Sequence, residues 1–100
     1  MNPQAKTALI TGGAHRVGKA ITLALAQASA NVVIVYHTSA DAAHETEAEA
    51  RACGVGVLAV PADVADHAQV RAMVDTAVAR FGSIDILVNA ASLFRQTPFR

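Results

Sequence analysis

A glycine turn near the N-terminus has the residue types and the spacing that bind a phosphate group. An apolar run, residues 7–11, leads into Gly12, and Gly18 lies within a helical pattern that starts near Val17. Glycine allows a turn with positive φ and lets an anion approach closely, because no Cβ is in the way. The helix directs unpaired N–H groups and its positive dipole end at the same point. The pattern predicts an anion site for a pyrophosphate, with an ordinary strand-to-helix turn as the alternative.

Imidazole and hydroxyl groups follow the second apolar run, residues 31–36. His37, Thr38 and Ser39 come directly after it, roughly 20 residues beyond the glycine turn, and no acid occurs before Asp41. An acid at this point would accept from the 2′-hydroxyl of an NAD ribose and would repel a 2′-phosphate. The absence of an opposing carboxylate therefore favours NADP as the ligand. Ser39 can instead be no more than the N-cap of the next helix, although the two roles are compatible.

Alternating strands and helices are the frame that would place these turns at one edge of a sheet. Continuous apolar runs predict four strands, at residues 7–11, 31–36, 55–60 and 84–88. Because polar alternation is missing, the strands are expected to be buried on both faces, in a parallel sheet covered by helices. Right-handed crossovers give the strand order 3-2-1-4, the first part of a doubly wound, Rossmann-type α/β fold. We expect residues 1–100 to be the N-terminal portion of one such NADP-binding domain.

Three helices are predicted from apolar periodicity and from end signals. The second helix covers residues 39–53 and has Gly54 as its C-cap, and the third is capped by Asp66 and stopped by Gly82. The first helix has an apolar stripe made of Val17, Ile21, Ala24, Leu25 and Ala28.

Composition argues against several classes of partner. Hydrophobic residues make up 53% of the 100 residues and the net charge is zero, so a nucleic acid or an acidic membrane surface is not an expected partner. No apolar stretch reaches the ~20 residues of a membrane span, and the N-terminus lacks a signal-peptide pattern. The single Cys53, expected to be a small packing residue, cannot form an internal disulfide, which fits a reducing compartment. We expect a cytoplasmic protein without a metal site, since the four histidines lack metal-ligand spacing.

The glycine turn reads T-G-x-x-x-R-x-G, which resembles the T-G-x-x-x-G-x-G fingerprint of the short-chain dehydrogenase/reductases. Arg16 replaces the central glycine, as arginine does in the pteridine reductases of that family. The resemblance implies that Arg16 reaches the phosphates of NADP and also faces a pterin ring, and a guanidinium has the donors and the flat face for both. It also places His15 and Val17, with Gly12 and Gly18, among the cofactor contacts. The alternative for Arg16 is a solvated side chain on an exposed turn.

The resemblance extends to the ends of the second and third strands. Asp63 is implied to accept from the adenine amino group, with Val64 beside the ring, although Asp63 can instead simply start a turn. The pteridine reductases have a basic residue between the histidine and the serine that follow the second strand. Thr38 stands there in this chain, so one positive charge is missing while the direction of the NADP preference stays the same.

The fourth strand ends in a segment that resembles the N-N-A-G of the family. Its members, all implied to contact the cofactor, are Asn89, Ala90, Ala91 and Ser92. Ala90 replaces an asparagine whose amide helps to hold the sheet and the cofactor loop together, so we expect a slightly looser site. Ser92 again matches the pteridine reductases, as does Phe94, which is placed to stack on a planar heterocycle or, alternatively, to plug the sheet. Arg16, Ser92 and Phe94 are thus the candidate substrate contacts.

The residues that complete the reaction in this family are missing from the chain. Family members use a Tyr-x-x-x-Lys pair, whereas Tyr36, which we expect to be buried, has Ala40 four places on. No catalytic residue is therefore predicted, and the chain alone should be inactive, as a fragment of a longer enzyme. The resemblance implies that this enzyme is a homo-tetramer that transfers a hydride from NADPH to a C=N bond of a pterin or dihydrofolate-like substrate. The alternatives are another carbonyl reductase of the family and a non-catalytic NADP sensor with the same fold.

Overall fold

The computed structural model describes residues 6–14 and 16–90, and these ranges contain four parallel strands and three helices. Their order along the chain is β1 (Thr7–Thr11), α1 (Arg16–Gln27), β2 (Asn31–Tyr36), α2 (Ala40–Arg51), β3 (Val57–Pro61), α3 (His67–Phe81) and β4 (Ile86–Asn89). The sheet has the strand order β3-β2-β1-β4, and all neighbouring pairs are parallel. The predicted strand order is therefore confirmed.

The two central strands, β1 and β2, form the buried middle of the sheet. Every residue of β1 is buried, as are the four middle residues of β2. In the parallel register, Leu9 lies opposite Val33 and Ile10 lies opposite Ile34. Successive side chains of a strand point to opposite faces, so Ile10 packs in a cluster with α1 and α2, whereas Leu9 packs with α3. The helices thus cover both faces, which is why neither strand shows polar alternation.

The first helix faces the sheet with small residues and not with the predicted apolar stripe. Its buried positions, spaced four apart, are Gly18, Thr22 and Ala26. The exposed members of the predicted stripe are Val17, Ala24 and Ala28, and the partly buried ones are Ile21 and Leu25. Small side chains let the helix backbone lie close to β1 and to the glycine turn, and a glycine in this position serves that close packing. The helix at the predicted place is therefore present, and its buried face is made of small residues.

The helix ends agree with the predicted signals at α3 and differ from them at α2. The Asp66 side chain accepts from two backbone N–H groups at the start of α3, and Gly82 ends that helix with a φ of 87°. α2 stops at Arg51, and Gly54, with a φ of 84°, lies in the turn that follows. Cys53 consequently lies beyond the helix and is exposed, so the predicted packing role of its side chain is wrong.

Strands β3 and β4 each begin two residues later than predicted, and at β4 the cause is Asp85. Its backbone N–H donates to the carbonyl oxygen of Thr7 at 2.9 Å. Its carboxylate Oδ2 accepts from the N–H of Thr7, also at 2.9 Å, and from the hydroxyl of Ser83 at 3.1 Å. A side chain therefore takes the donor that a strand partner would otherwise take, and the regular ladder starts one residue further on.

An open apolar cavity of about 290 Å³ lies between the sheet and α3. Its lining residues are Leu9, Thr11, Val64, Val70, Met73, Val74, Ile84 and Leu87. β4 is the outer strand of the described sheet on this side, and its Leu87 is 71% exposed. The α3 face of the sheet is thus less completely covered than the face that carries α1 and α2.

Candidate functional site

The carboxyl ends of β1, β2 and β3 meet at one edge of the sheet, because the three strands are parallel. A cavity of about 140 Å³ opens there, lined by Thr11, Gly12, Val35, Tyr36, His37, Ala62, Asp63 and Val64. Four predicted cofactor contacts are thus brought together, namely Gly12, His37, Asp63 and Val64. Tyr36 is only partly buried and not buried as predicted, since it is the last residue of β2 and lines this opening.

The glycine turn between β1 and α1 is packed too tightly for side chains. Gly12 has a φ of 69°, and its N–H donates to the carbonyl oxygen of Val35 at 2.9 Å. A Cβ on Gly18 would overlap the carbonyl oxygen of Gly12, so α1 can lie against the turn only because residue 18 is glycine. Positive φ and close backbone approach are what a pyrophosphate site at a helix N-terminus requires. The residues present therefore fit the predicted cofactor.

Two buried threonines, which the sequence pattern does not single out, support this turn from behind. Oγ1 of Thr22, on α1, lies 2.8 Å from the carbonyl oxygen of Gly18 and 3.2 Å from that of Gly13. The hydroxyl of Thr46, on α2, donates to the carbonyl oxygen of Ala14 at 3.1 Å. Both threonine side chains are fully buried. The sequence signal that could have identified them is a threonine within an alanine-rich helix. If such a residue is buried, its hydroxyl needs a hydrogen-bond partner, which here is a carbonyl of the turn.

Arg16 begins α1 in a backbone conformation that is uncommon for its residue type. Its φ is 48°, in the left-handed region that glycine adopts most readily, and the family fingerprint has glycine at this position. The side chains of Arg16 and Val17 are exposed. Within residues 6–14 and 16–90, Arg16 makes no hydrogen bond or ion pair. Its guanidinium is therefore accessible to a ligand, and this placement agrees equally with a solvated arginine.

The residues that follow β2 line a second, open cavity at the start of α2. They surround a volume of about 370 Å³ and are Thr38, Ser39, Ala40, Asp41 and Ala42. Ser39 occupies the N-cap position of α2, but its hydroxyl makes no capping hydrogen bond and so remains available as a donor. Asp41 lies in the same cavity. The expectation that no carboxylate opposes a phosphate here is therefore wrong, because the first turn of α2 brings this acid back beside the hydroxyl groups.

The side chains of His37 and Asp63, which both line the first cavity, approach each other. Nε2 of His37 lies 4.0 Å from Oδ2 of Asp63, and the two side chains are 66% and 39% exposed. The other carboxylate oxygen, Oδ1, accepts from the N–H of Ala65 at 2.9 Å. The backbone N–H of Asp63 donates to Oε1 of Gln69 at 2.8 Å. Asp63 thus does organise the turn after β3, and its second oxygen lies on the side of His37.

At the end of β4 the structure describes Asn89 and Ala90. Oδ1 of Asn89 accepts from the hydroxyl of Thr11 at 2.9 Å, which ties β4 to β1 at the carboxyl edge of the sheet. Ala90 is fully buried in a cluster that includes Ile10, so a methyl group lies where the family has an amide. The predicted contacts that lie outside the described residues are His15, Ala91, Ser92 and Phe94. Their roles stay predictions.

Metal clusters and membrane-spanning helices were also sought in the part of the chain that the structure describes. Over those residues, no group of three or more His, Cys, Asp or Glu side chains is placed to hold a metal ion. No described helix is both long and apolar enough to cross a bilayer. His44 is exposed on α2 and His67 is exposed on α3.

Fold and site together define a class of protein before any comparison is made. A parallel sheet in the order β3-β2-β1-β4, with a positive-φ glycine turn at the start of α1, is typical of Rossmann-type α/β domains that bind dinucleotides. The sequence matches the family model of the short chain dehydrogenases over residues 6–100. The chain therefore belongs to the short-chain dehydrogenase/reductase family.

Curated relatives of the chain fall into two length classes. It is 47% identical over 88 residues to the short chain dehydrogenase/reductase dpchG of Colletotrichum higginsianum, covering 88% of this chain and 32% of the relative. It is 41% identical over 90 residues to the 3-oxoacyl-(acyl-carrier-protein) reductase FabG of Staphylococcus aureus, covering 90% and 37%. The chain thus spans about a third of the length of these proteins. It is also 39% identical over 98 residues to the short-chain dehydrogenase/reductase homolog YusS of Bacillus subtilis, covering 98% and 90%.

Solved structures of the same family superpose closely on the chain. A short-chain dehydrogenase/reductase from Serratia marcescens matches with a TM-score of 0.84 and 40% identity, over 89% of this chain and 36% of the other. A xylitol dehydrogenase with bound NAD⁺ matches with a TM-score of 0.82 and 30% identity, over 87% and 33%. These likenesses confirm the Rossmann-type fold. They do not separate pteridine reductases from other members of the family, so that finer assignment rests on Arg16, Ser92 and Phe94.

Proposed function

We propose that this chain is the cofactor-binding part of an NADPH-dependent short-chain reductase. The observation that carries the proposal is the cavity at the carboxyl edge of the sheet, where Gly12, His37, Asp63 and Val64 meet. Likeness to FabG, which is a reductase, and to a xylitol dehydrogenase that binds NAD⁺ supports a nicotinamide cofactor. When bound, the nicotinamide supplies a hydride, and this chain's own residues serve to hold and orient the dinucleotide.

The adenosine end would lie in the cavity between β2 and β3. Val64 offers an apolar surface that is 43% exposed, and the Asp63 carboxylate can accept from the adenine amino group. The 2′-phosphate would meet His37, Thr38 and Ser39, whose donors lie at the end of β2. Because the Ser39 hydroxyl is not used as a helix cap, accepting a phosphate oxygen costs the helix no hydrogen bond.

The pyrophosphate would lie over the glycine turn. Gly12 provides the positive φ, Gly18 lets α1 pack against the turn, and the N-terminus of α1 supplies N–H groups for an anion. Arg16, exposed at the first position of α1, can add a charged donor. By position, His15 and Val17 flank the same site, and residues 89–92 are proposed to contact the cofactor from the end of β4.

For the substrate we propose a pterin or dihydrofolate-like heterocycle with a reducible C=N bond. The support is the pteridine-reductase pattern, in which Arg16 replaces a glycine and Ser92 and Phe94 follow β4. A carbonyl reductase is the second candidate, and the 41% identity to FabG favours it. The full-length protein is further proposed to be a cytoplasmic homo-oligomer.

Binding titrations of NADPH and NADH against the full-length protein test the proposal, followed by the nicotinamide fluorescence. We expect NADPH to bind more tightly than NADH. Gly18→Ala should abolish binding of both, because its Cβ overlaps the carbonyl oxygen of Gly12. Gly54→Ala is the control for a strained substitution away from the turn: its φ of 84° costs the variant stability, but a Cβ there meets no atom within 4 Å, and it should bind as the parent protein does. Equal affinity for the two nucleotides, or binding of neither, contradicts the proposal.

Turnover assays then decide between the two substrate classes. A dihydropterin and a 3-oxoacyl thioester are offered to the full-length protein with saturating NADPH, and the oxidation of NADPH is followed. Faster turnover of the dihydropterin supports the pteridine reductase, and Arg16→Ala should lower that rate. Faster turnover of the thioester, with little response to the same substitution, supports the carbonyl reductase.

A further inference from the structure

The two cavities at the end of β2 combine two carboxylates with a single side chain that can become a cation. Among the residues that line them, Asp63 and Asp41 are the acids and His37 is the basic group. Arg16 is exposed at the start of α1 and is not one of the lining residues. The formal charge of the lining is therefore negative whenever the imidazole of His37 is neutral.

Other charged groups near the end of β2 do not offset this balance. Tyr36 contributes a phenol to the first cavity and no positive charge. Lys19 of α1 is engaged by α2, since its Nζ lies 3.1 Å from a carboxylate oxygen of Glu45 and 2.6 Å from one of Glu49. Of the side chains in the described part of the chain that line the cavities, His37 is thus the one that can change the formal charge of the lining near neutral pH, from −2 with a neutral imidazole to −1 with a protonated one.

We propose that His37 selects the phosphorylated dinucleotide through its own protonation, so that the preference for NADPH over NADH falls as the pH rises. This inference rests on the proposed function and concerns a specificity-determining residue of the same site. Histidine is the side chain whose charge changes between about pH 5 and 8. Its protonated form can donate to a 2′-phosphate and reduces the formal charge of the lining from −2 to −1. Its neutral form leaves the phosphate with the hydroxyl groups of Thr38 and Ser39, which carry no charge.

A carboxylate already faces His37 in the structure, with Nε2 of the imidazole 4.0 Å from Oδ2 of Asp63. Without a nucleotide, the carboxylate of Asp63 is the anion nearest to the imidazole. A bound 2′-phosphate adds a second anion, and binding should therefore be accompanied by uptake of a proton on His37. NADH lacks that phosphate, so its affinity should respond little to the charge of His37.

The experiment measures the Kd values of NADPH and NADH for the full-length protein at about pH 6 and about pH 8, which span the range in which imidazole changes charge. Adenosine 2′,5′-bisphosphate and AMP repeat the comparison without a nicotinamide. The 2′-phosphate itself gains charge over this range, because a phosphate monoester has a second pKa of about 6. His37→Gln reports that contribution alone. His44 of α2 is a second imidazole near the first cavity, because its ring meets that of Tyr36 edge-on with the centroids 6.4 Å apart and it pairs with Glu47. His44→Gln measures the contribution of that imidazole and serves as the control.

The ratio of the NADH Kd to the NADPH Kd is the quantity that tests the proposal. From about pH 6 to about pH 8, this ratio should fall by about tenfold more in the parent protein than in His37→Gln. A factor of that size corresponds to one charge-assisted hydrogen bond. His37→Arg should keep a high ratio at both pH values, because its charge is permanent. His44→Gln should behave as the parent protein does.

Two results would overturn the inference, and they are distinguishable. If both nucleotides bind and the ratio varies with pH in the same way in the parent protein and in His37→Gln, the imidazole is not the selector, and the proposed function stands. If neither nucleotide nor adenosine 2′,5′-bisphosphate binds, the proposed function fails together with the inference.

Discussion

Arg16 holds a left-handed backbone conformation at the first position of α1, with a φ of 48°. A residue with a Cβ pays for this conformation, whereas glycine, which the family has here, does not. The side chain is exposed and makes no hydrogen bond or ion pair within the described residues, so no polar contact among them compensates for the strain. Backbone strain of this kind is concentrated at active sites and ligand-binding sites. The proposed function assigns Arg16 to the cofactor or the substrate, and the strained backbone at this position is compatible with that role.

Arg16→Gly separates the strain from the charge. We expect this variant to be more stable than the parent protein by about 0.5–1 kcal/mol, because a positive φ is easier for glycine, and to bind NADPH more weakly. Arg16→Ala loses the guanidinium but keeps a Cβ, so it should weaken binding without the gain in stability. Urea denaturation and NADPH titration of both variants measure the two effects. A stability gain in Arg16→Ala, or unchanged binding in both, would show that the side chain acts otherwise.

At the scale of the elements, helices α1 and α2 position the glycine turn through buried hydroxyl groups. Thr46 reaches across from α2 to the carbonyl oxygen of Ala14, 32 positions earlier in the chain. The hydroxyl of Thr22, on α1 itself, donates to the carbonyl oxygen of Gly13 in the same turn. α2, which is far from the turn in sequence, therefore helps to position the turn relative to the sheet.

Thr46→Val removes this hydrogen bond with little change in volume. We expect a loss of about 1–2 kcal/mol in the free energy of unfolding, because the buried carbonyl of Ala14 loses its donor, and a weaker affinity for NADPH. Thr76→Val is the control, since the Thr76 hydroxyl is exposed and donates to Ala72 within its own helix. Denaturation curves and NADPH titrations of the two variants make the comparison. Equal effects of the two substitutions would mean that the turn does not depend on α2.

Asp85 gives the sheet a dependence on pH. The N–H of Thr7, and to a smaller extent the Ser83 hydroxyl, donate to its carboxylate and lower its pKa from the ordinary value of 3.8. A lowered folded-state pKa contributes stability that is present above that ordinary value and is lost as the pH falls through the lowered one. The β1–β4 contact should therefore weaken in acid.

Asp85→Asn should be less stable than the parent protein at neutral pH and should lose part of its dependence on acid. The measurement is the urea midpoint from neutral pH to below the ordinary carboxyl value of 3.8. Asp75→Asn, on an exposed position of α3, is the control and should follow the parent curve. Parallel curves for the parent protein and Asp85→Asn would exclude the proposed role of the Thr7 hydrogen bond.

The strands were predictable because their apolar runs are continuous, and the order β3-β2-β1-β4 followed from the handedness of the crossovers. The buried face of α1 was not predictable from hydrophobicity, since close approach to the glycine turn selects small residues such as Gly18 and Ala26 over Val17. Periodicity also cannot show where a side chain such as Asp85 replaces a strand partner. The local sequence was thus sufficient to predict the strands and helices. Their buried faces and exact ends depend on packing against segments that are distant in the sequence.

The candidate site was predictable to a similar extent. The parallel sheet necessarily brings the residues after β1, β2 and β3 together, so Gly12 and His37 could be assigned to one edge from the strand pattern, whereas the role of Asp63 there was implied by the family resemblance. The presence of Asp41 in the same cavity as Ser39 could not be predicted, because it depends on the direction in which α2 starts after β2. The support from Thr46 also could not, since that contact joins segments far apart in the sequence.

For the whole molecule, the two faces of the sheet differ in how completely they are covered. On one face, the salt bridges of Lys19 join α1 to α2, and the hydrogen bonds that the lysine donates to Glu49 and, to a smaller extent, to Glu45 raise its pKa. On the other face, α3 packs alone in the described part of the chain and leaves an apolar cavity of about 290 Å³ beside β4. An apolar strand edge next to an open cavity promotes association unless something covers it.

Leu87→Lys tests whether that open face limits the behaviour of residues 1–100 expressed alone. The parent fragment should be poorly soluble or molten and bind an apolar dye, because Leu87 is 71% exposed at the outer strand of the described sheet. A lysine on this edge should raise the soluble fraction, since charges on edge strands oppose pairing. Val78→Lys, at a position of α3 that is 39% exposed and does not line the cavity, should have little effect. A soluble parent fragment that melts cooperatively as a monomer would show that the uncovered face is tolerated, and the edge of β4 would then need no partner to stay in solution.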